Sequence, residues 1–406
     1  MGIGHLRINV FGSDQGRPEP ETKLTVKKTE SGEQVAEAMT NISGKSDIME
    51  LESPPIDYSL EPNSQKPYAE YDVIAEKDGF ERIIIKGAQI LPNVVAEQNI
   101  YLITKKNGSD ENVTYPVPEH TLYGEYPSKI EEDETKPISN PTGFVILSEP
   151  AVPEYIIVHD GVPTDISAKN YWIPYKDYIK NVCSSEIYPT WPAECIKANI
   201  LAINSFTLNR VYTEWYRSRG YSFTITSSTA YDQKFVYQRN IFNEISVIVD
   251  EIFSSYITKP NIEQPLFTQY CDGQRVTCPN WLSQWGSKYL ADNGANYIDI
   301  LKNYYGYEIY LEMANQISGV PSSYPGYVLQ DGTRGMPVQT VQNQLNAISK
   351  NYPAINKIAV DGIYGPATIK SVETFQSIFN MPQTGIVDYA TWYEISKIYA
   401  AVSKLS

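Results

Sequence analysis

Apolar and polar positions alternate with a period of two through the first hundred residues. Leu6, Ile8 and Val10 fall on one face of this pattern, as do Leu24 with Val26 and Tyr71 with Val73 and Ala75, before the turn signal Asp78-Gly79 and the run Ile83 to Ile85. Short strands broken by proline and glycine predict a small β-sandwich over residues 1–106. The period then lengthens. After Pro189 and Pro192, residues Ile196, Ile200, Ile203 and Phe206 recur at spacings of four, three and three, one face of a buried helix. A second apolar run, Ile245 to Ile252, precedes the strand-like PLFTQY, so residues 151–317 read as an α+β domain. The stretch SGVPSSYPG marks a joint at 318–327. Beyond it, Val341, Leu345 and Ile348 share one helical face and Val372, Phe375 and Phe379 another. Gly365-Pro366 opens the second helix and Gly385 turns the chain before Trp392. Residues 328–406 therefore read as three short helices in two weakly repeated halves. The predicted fold class is multidomain: an all-β sandwich, a central α+β domain and a small three-helix unit.

Composition sharpens this picture in two places. A hydrophobic content of 42% and a mean hydropathy of −0.35 over 406 residues exclude wholesale disorder. No apolar run approaches the ~18 residues of a membrane span, so no membrane partner is expected. The opening MGIGHLRINVF lacks the basic and apolar segments of a secretory leader, and classical secretion is not expected. Residues 1–150 hold 26 acidic against 14 basic side chains, a charge of −12, while residues 151–406 hold 22 against 19, or −3. No Lys/Arg cluster offers itself to nucleic acid. Residues 107–150, with KNGSDEN, the run Glu131 to Glu134 and six prolines, read as an extended acidic linker, either a passive spacer or a segment made to be cut. The run PTGFVILSEPAVPEY is the expected cutting point.

The chemistry concentrates in DYIKNVCSSEIYPTWPAECIKANILAINSFTLNRVY, which begins at Asp177. This segment resembles the catalytic signature of the stage II sporulation protein D and LytB family, with Glu186, Trp191, Pro192, Glu194, Lys197, Ala198 and Ala202 on the pattern. Gln233 with Phe235, FTQYCDGQ and LSQWGSKYLADNGANYIDILKNYYGYEI follow in the family's order. The resemblance implies a lytic transglycosylase of peptidoglycan glycan strands, with Glu186 catalytic and Tyr188, Trp191, Lys197, Gln233, Gln284, Tyr304 and Tyr305 on the substrate. No cofactor and no metal are expected. The family usually carries Arg at Asn204 and Thr-Tyr at Ser205-Phe206, which puts one substrate contact in doubt.

VDGIYGPATIKSVETFQ, from Val360 to Gln376, resembles the type 1 peptidoglycan-binding domain. That likeness implies wall contacts at Asp361, Gly362, Tyr364, Gly365, Thr368, Phe375 and Gln376. TNISGKSDIMELESPP and PYAEYDVIAEKDGF resemble transthyretin-like or carboxypeptidase-regulatory sandwiches. The whole order resembles the spore cortex-lytic enzyme precursors of spore-forming bacteria, the SleC type. It implies peptidoglycan of the spore cortex as partner, an activating protease that removes the front part, and a place in the spore at the cortex and coat. A non-catalytic wall-binding modulator of an amidase and a structural coat protein are the alternatives.

The residues of the motif support the catalytic reading on physical grounds. Cleaving a glycosidic bond needs a proton donor for the leaving oxygen. Glu186 is expected at the end of a helix from Tyr175 to Ser185, where the negative pole of the dipole disfavours carboxylate, beside Tyr188 and Trp191, which reduce hydration. Glu194 reads as a first-turn helix acid, Asp177 and Asp232 as polar framework, and Lys197 either as a stabiliser of developing charge or as a snorkelling side chain. Cys271 and Cys278 form a disulfide or stay as buried thiols; a zinc reading lacks a nearby histidine. Cys183 and Cys195 read as small core residues, since no histidine lies in their segment to activate a thiol.

Overall fold

The computed structural model describes residues 2–12, 18–62, 65–105, 112–137, 149–316, 325, 327–379 and 381–403. Strands β1 (Gly2–Phe11), β2 (Lys23–Lys28), β3 (Gln34–Met39) and β4 (Met49–Ser53) lead into the short helix α1 (Asp57–Leu60). Strands β5 (Ala69–Glu76), β6 (Arg82–Ile90), β7 (Val95–Tyr101) and β8 (Asn112–Pro116) complete the front part. The alternation of β1 puts Leu6, Ile8 and Val10 fully inside, facing Leu24, Val26, Val73, Ile83 and Ile85 of the second sheet. That sheet has the order β3-β2-β5-β6-β8, with β8 parallel to β6.

The sandwich is therefore larger than the sequence suggests. Its second sheet takes in residues 112–116, beyond the expected boundary at 106, and its first sheet, β4-β1-β7, borrows its fourth strand from the central domain. That strand, β13 (Ile241–Phe242), pairs antiparallel with β7. One apolar core runs without a break from Leu6 to Ala314.

The central domain opens with β9 (Ala151–Val152), β10 (Tyr155–His159) and β11 (Asn170–Pro174), followed by α2 (Tyr175–Glu186) and α3 (Ala193–Tyr212). Strand β12 (Ile225–Thr226) pairs with β10, and α4 (Asn243–Ile252) follows β13. Then come β14 (Ser255–Thr258), β15 (Tyr270–Cys271), β16 (Leu282–Ser283), α5 (Gln284–Asp292), α6 (Tyr297–Tyr305), β17 (Tyr310–Met313) and β18 (Asn315–Gln316). Strand β18 pairs with β9 and closes the domain on itself. The domain is built around α3. Ile196, Ile200, Ile203 and Phe206 are buried as expected, but so are Leu201, Asn204, Asn209 and Arg210 on its other faces. From Ala198 to Arg210 the helix is enclosed all round, and its side-chain amide N–H groups find partners: Asn204 Nδ2 donates to the carbonyls of Phe253 and Ser255 at 2.8 and 2.7 Å.

The C-terminal unit has its own core, centred on Leu329, Val341, Leu345, Tyr364, Phe375 and Trp392. Helices α7 (Met336–Ile348), α8 (Pro366–Ile378) and α9 (Tyr389–Ser403) match the three expected. The repeat has a chemical basis. Buried Gln342 of α7 accepts from the Gly362 N–H at 2.9 Å and donates to the Ile363 carbonyl and to Thr368. Buried Gln376 of α8 does the same one half later, accepting from Gly385 N–H at 2.9 Å and donating to the Ile386 carbonyl and to Thr391. Gly362 and Gly385 take positive φ, 71° and 65°, where a side chain is strained. Gln376→Leu leaves a buried N–H and carbonyl unpaired, at a cost of about 2–5 kcal/mol. Thermal melting of the C-terminal unit is expected to fall accordingly; an unchanged transition contradicts this reading.

Candidate active site

Glu186 is the last residue of α2. The helix stops there because Ile187 turns extended and Tyr188 precedes Pro189, a position that disfavours helical backbone. The carboxyl is 4% exposed and held on three sides. Oε1 accepts from the Lys234 N–H at 2.8 Å and from the Tyr270 hydroxyl at 3.1 Å, and Oε2 accepts from Gln284 Nε2 at 3.3 Å. Gln284 Nε2 also donates to the Glu186 carbonyl at 2.9 Å. The group lies at the floor of a cleft of about 490 Å3 whose lining includes Tyr270, Asp272, Gln284, Thr229 and Arg275. Burial next to Glu186 drives the Tyr270 hydroxyl well above its ordinary pKa, so it stays a donor. Asp272, the other carboxyl that the central domain gives to the cleft, is consumed by the backbone N–H groups of Gln274, Arg275 and Val276 and by the Arg275 guanidinium.

The cleft's other wall comes from the front of the chain. Residues expected to form an accessible linker instead lie across the site, and Thr121, Gly124, Glu125, Tyr126, Pro127, Ser128 and Lys129 line it. Thr121 bonds the Ser185 carbonyl through N–H and hydroxyl. Lys129 Nζ donates to the carbonyls of Thr229 and Asp232 and lies 4.6 Å from the Tyr270 ring centre. Burial pulls the Lys129 pKa down, opposed by the Glu186 and Asp232 carboxylates. The linker reading is corrected for 112–137; residues 138–148, which include the first eight residues of the expected cutting run, lie outside the described residues. Of the rest of that run, Ala151 and Val152 are paired in β9.

Several residues expected on the substrate are not in the cleft. Tyr188 and Trp191 point the other way, packing with each other and with Trp285, and Trp191 Nε1 donates to the Ser59 carbonyl of α1 at 2.8 Å. They join the central domain to the sandwich. Gln233 is fully buried, accepting from Tyr178 and Thr207 and donating to the Ile203 carbonyl; it fixes the loop whose next residue, Lys234, holds Glu186. Lys197 is half-buried beside Tyr297, 6.0 Å from its ring centre. Tyr304 bonds Ser283, and Tyr305 donates to the Gln269 carbonyl at 2.9 Å. Asn204 accepts from Tyr175 at 2.7 Å inside the core. Gln284 alone of the expected contacts lines the cleft with Glu186. In the C-terminal unit, Gly362, Tyr364, Thr368, Phe375 and Gln376 are buried framework, leaving Asp361 exposed and Gly365 half-buried.

Other framework expectations fall as follows. Asp232 is buried against Arg210, Tyr216 and Thr226. Glu194 accepts from the Tyr297 N–H at 2.9 Å, capping α6 and not its own helix. Cys271 and Cys278 form a disulfide, while Cys183 and Cys195 are buried and unbridged. No group of metal-binding side chains occurs among the described residues. No described helix is long and apolar enough to cross a membrane.

The disulfide loop carries Arg275, whose guanidinium donates to the carbonyls of Thr121, Tyr123 and Gly124. Sequence reasoning missed it because a loop arginine has no periodic signal. Arg275→Ala removes three charge-assisted bonds from the overlying segment and is expected to speed proteolysis within residues 119–130 by about tenfold. Cleavage at the wild-type rate rules out Arg275 as a clamp.

Comparison with known proteins bears on the C-terminal unit. Residues 334–395 match the family described as "Putative peptidoglycan binding domain". No curated protein matches the chain. Among solved structures, the SleB N-terminal domain is 27% identical over 18% of this chain and 93% of that one, with a TM-score of 0.16. A mercury-inhibited catechol 1,2-dioxygenase from Acinetobacter sp. ADP1 is 13% identical over 28% of this chain and 58% of its own, with a TM-score of 0.18.

Proposed function

We propose that the chain is a peptidoglycan lytic transglycosylase that cuts glycan strands of the spore cortex during germination and is made as a precursor activated by proteolysis. The observation that carries the reading is Glu186, a buried carboxyl held on the floor of a cleft in a chain with a peptidoglycan-binding module. A glycosidase that works by hydrolysis pairs two carboxyls across the bond. Here Asp272 is tied into its own loop, which suits chemistry that needs one.

Glu186 protonates the glycosidic oxygen as the bond breaks. Oε2, with its single long contact to Gln284, is the oxygen left to carry that proton. The carboxylate so formed takes the proton of the sugar's own 6-hydroxyl, whose oxygen bonds to the anomeric carbon and yields a 1,6-anhydromuramic end. The lone pairs of Oε1 are already engaged, which fixes the plane of the carboxyl for both steps.

The binding module raises local concentration without joining the chemistry. Deleting residues 327–406 is expected to weaken retention on insoluble peptidoglycan while sparing turnover of short soluble glycans. Equal pelleting of both forms with purified walls contradicts this assignment.

A further inference from the structure

Past Lys129 the segment over the cleft runs on along a trough in the central domain as far as Lys136, bending at Glu134 and Thr135. Its contacts recur at every second residue. Gln269 Nε2 donates to the Ile130 carbonyl at 2.7 Å and Gln269 Oε1 accepts from the Glu132 N–H at 2.9 Å. The Phe267 N–H donates to the Glu134 carbonyl at 2.8 Å. Gln264 accepts from the Lys136 N–H at 2.8 Å and donates to its carbonyl at 2.9 Å. These groups hold main-chain atoms of alternate residues, 130, 132, 134 and 136.

Side-chain recognition falls on two acids and one lysine. Arg210, 1% exposed, grips Glu132 with two bonds, Nη1 to Oε2 at 3.1 Å and Nη2 to Oε1 at 2.6 Å, while its Nε is neutralised by Asp232 at 2.7 Å. Lys259 meets Glu134 at 2.6 Å. A fork aimed at a carboxylate is a specific recognition device. The Lys136 ammonium lies 3.9 Å from the Phe267 ring centre and 5.0 Å from that of Trp215 and reaches back to Glu132 at 3.1 Å; burial brings its pKa down to about 8.

We infer that the trough of Arg210, Lys259, Gln264, Phe267 and Gln269 is a subsite for an extended acidic peptide, and that in the wall this is the stem peptide hanging from the glycan. The inference rests on peptidoglycan being the substrate. The trough begins one residue from the cleft wall at Lys129, so a stem carried by the sugar at Glu186 enters it directly. Residues 130–136 occupy the place of that stem, with Glu132 standing in for its carboxylate.

The test uses the full chain carrying Glu132→Ala and Lys136→Ala, which removes the occupant's anchors and leaves the trough intact. The probe is the soluble stem peptide released from peptidoglycan by an amidase, compared with its fully amidated form. Binding read by fluorescence anisotropy is expected to be about tenfold or more tighter for the acidic form than for the amidated one, because the bidentate carboxylate contact is lost in the latter. It is also expected to exceed binding to the wild-type chain, where the tethered strand competes. Adding Gln264→Leu or Gln269→Leu is expected to reverse the gain. Equal binding of the two peptides, or none, overturns the inference. Anhydromuramic ends from stem-free glycan in the same preparation report on the transglycosylase reading separately, so either can fail alone.

Discussion

Glu186→Gln abolishes glycan cleavage and leaves the chain folded and wall-bound: that is the expected result with the largest effect. The amide keeps the shape of the carboxyl and can accept from the Lys234 N–H and the Tyr270 hydroxyl as the acid does. It can neither deliver a proton to the glycosidic oxygen nor retrieve one from the 6-hydroxyl. Loss of a general acid/base costs ~10²- to 10⁴-fold, and here one group serves both steps. Pelleting with peptidoglycan and the melting profile serve as controls, since the wall module has a separate core. Substantial lysis by a folded Gln variant removes Glu186 from the chemistry.

The second large effect concerns the segment over the cleft. A chain starting at Glu149, which keeps β9 paired with β18, is expected to be far more active on cortex than the full chain. Two causes are to be separated. The front part carries −12 against −3 for the remainder and repels an anionic wall, but only over a Debye length of ~8 Å at physiological salt. The geometry adds a physical cover: residues 121–129 form one wall of the cleft, and Arg275, Arg210 and Lys259 hold the segment down. A cover that opens between 1 and 10% of the time lowers apparent activity by about 10- to 100-fold. The gain on truncation is therefore expected to survive high salt. A gain that vanishes in high salt assigns inhibition to charge, and equal activity under both conditions means the front part does not inhibit.

Much of the architecture was legible because hydrophobic period reports burial. The β1 alternation, the α2 boundary at Glu186 and the three C-terminal helices follow from spacing and from proline and glycine. What escaped was polar burial across domains. Asn204, Asn209 and Arg210 lie off the apolar face that the spacing of α3 marks, yet each is enclosed and bonded. The acidic run Glu131 to Glu134 reads as solvated linker because its partners, Arg210 and Lys259, lie far along the chain. Trp191 and Tyr188, next to Glu186 in sequence, face the sandwich because the chain reverses at Pro189. Sequence proximity to a catalytic group did not carry over to the cleft, whereas Gln284, about a hundred residues away, did reach it.

The most direct measurement is mass spectrometry of the soluble muropeptides released from purified cortex. Lytic transglycosylase chemistry predicts 1,6-anhydromuramic ends from the wild-type chain after removal of the front part, and their loss with Glu186→Gln. Reducing muramic or glucosamine ends in their place would mean that water, not the sugar's 6-hydroxyl, attacks the anomeric carbon, and would contradict the account.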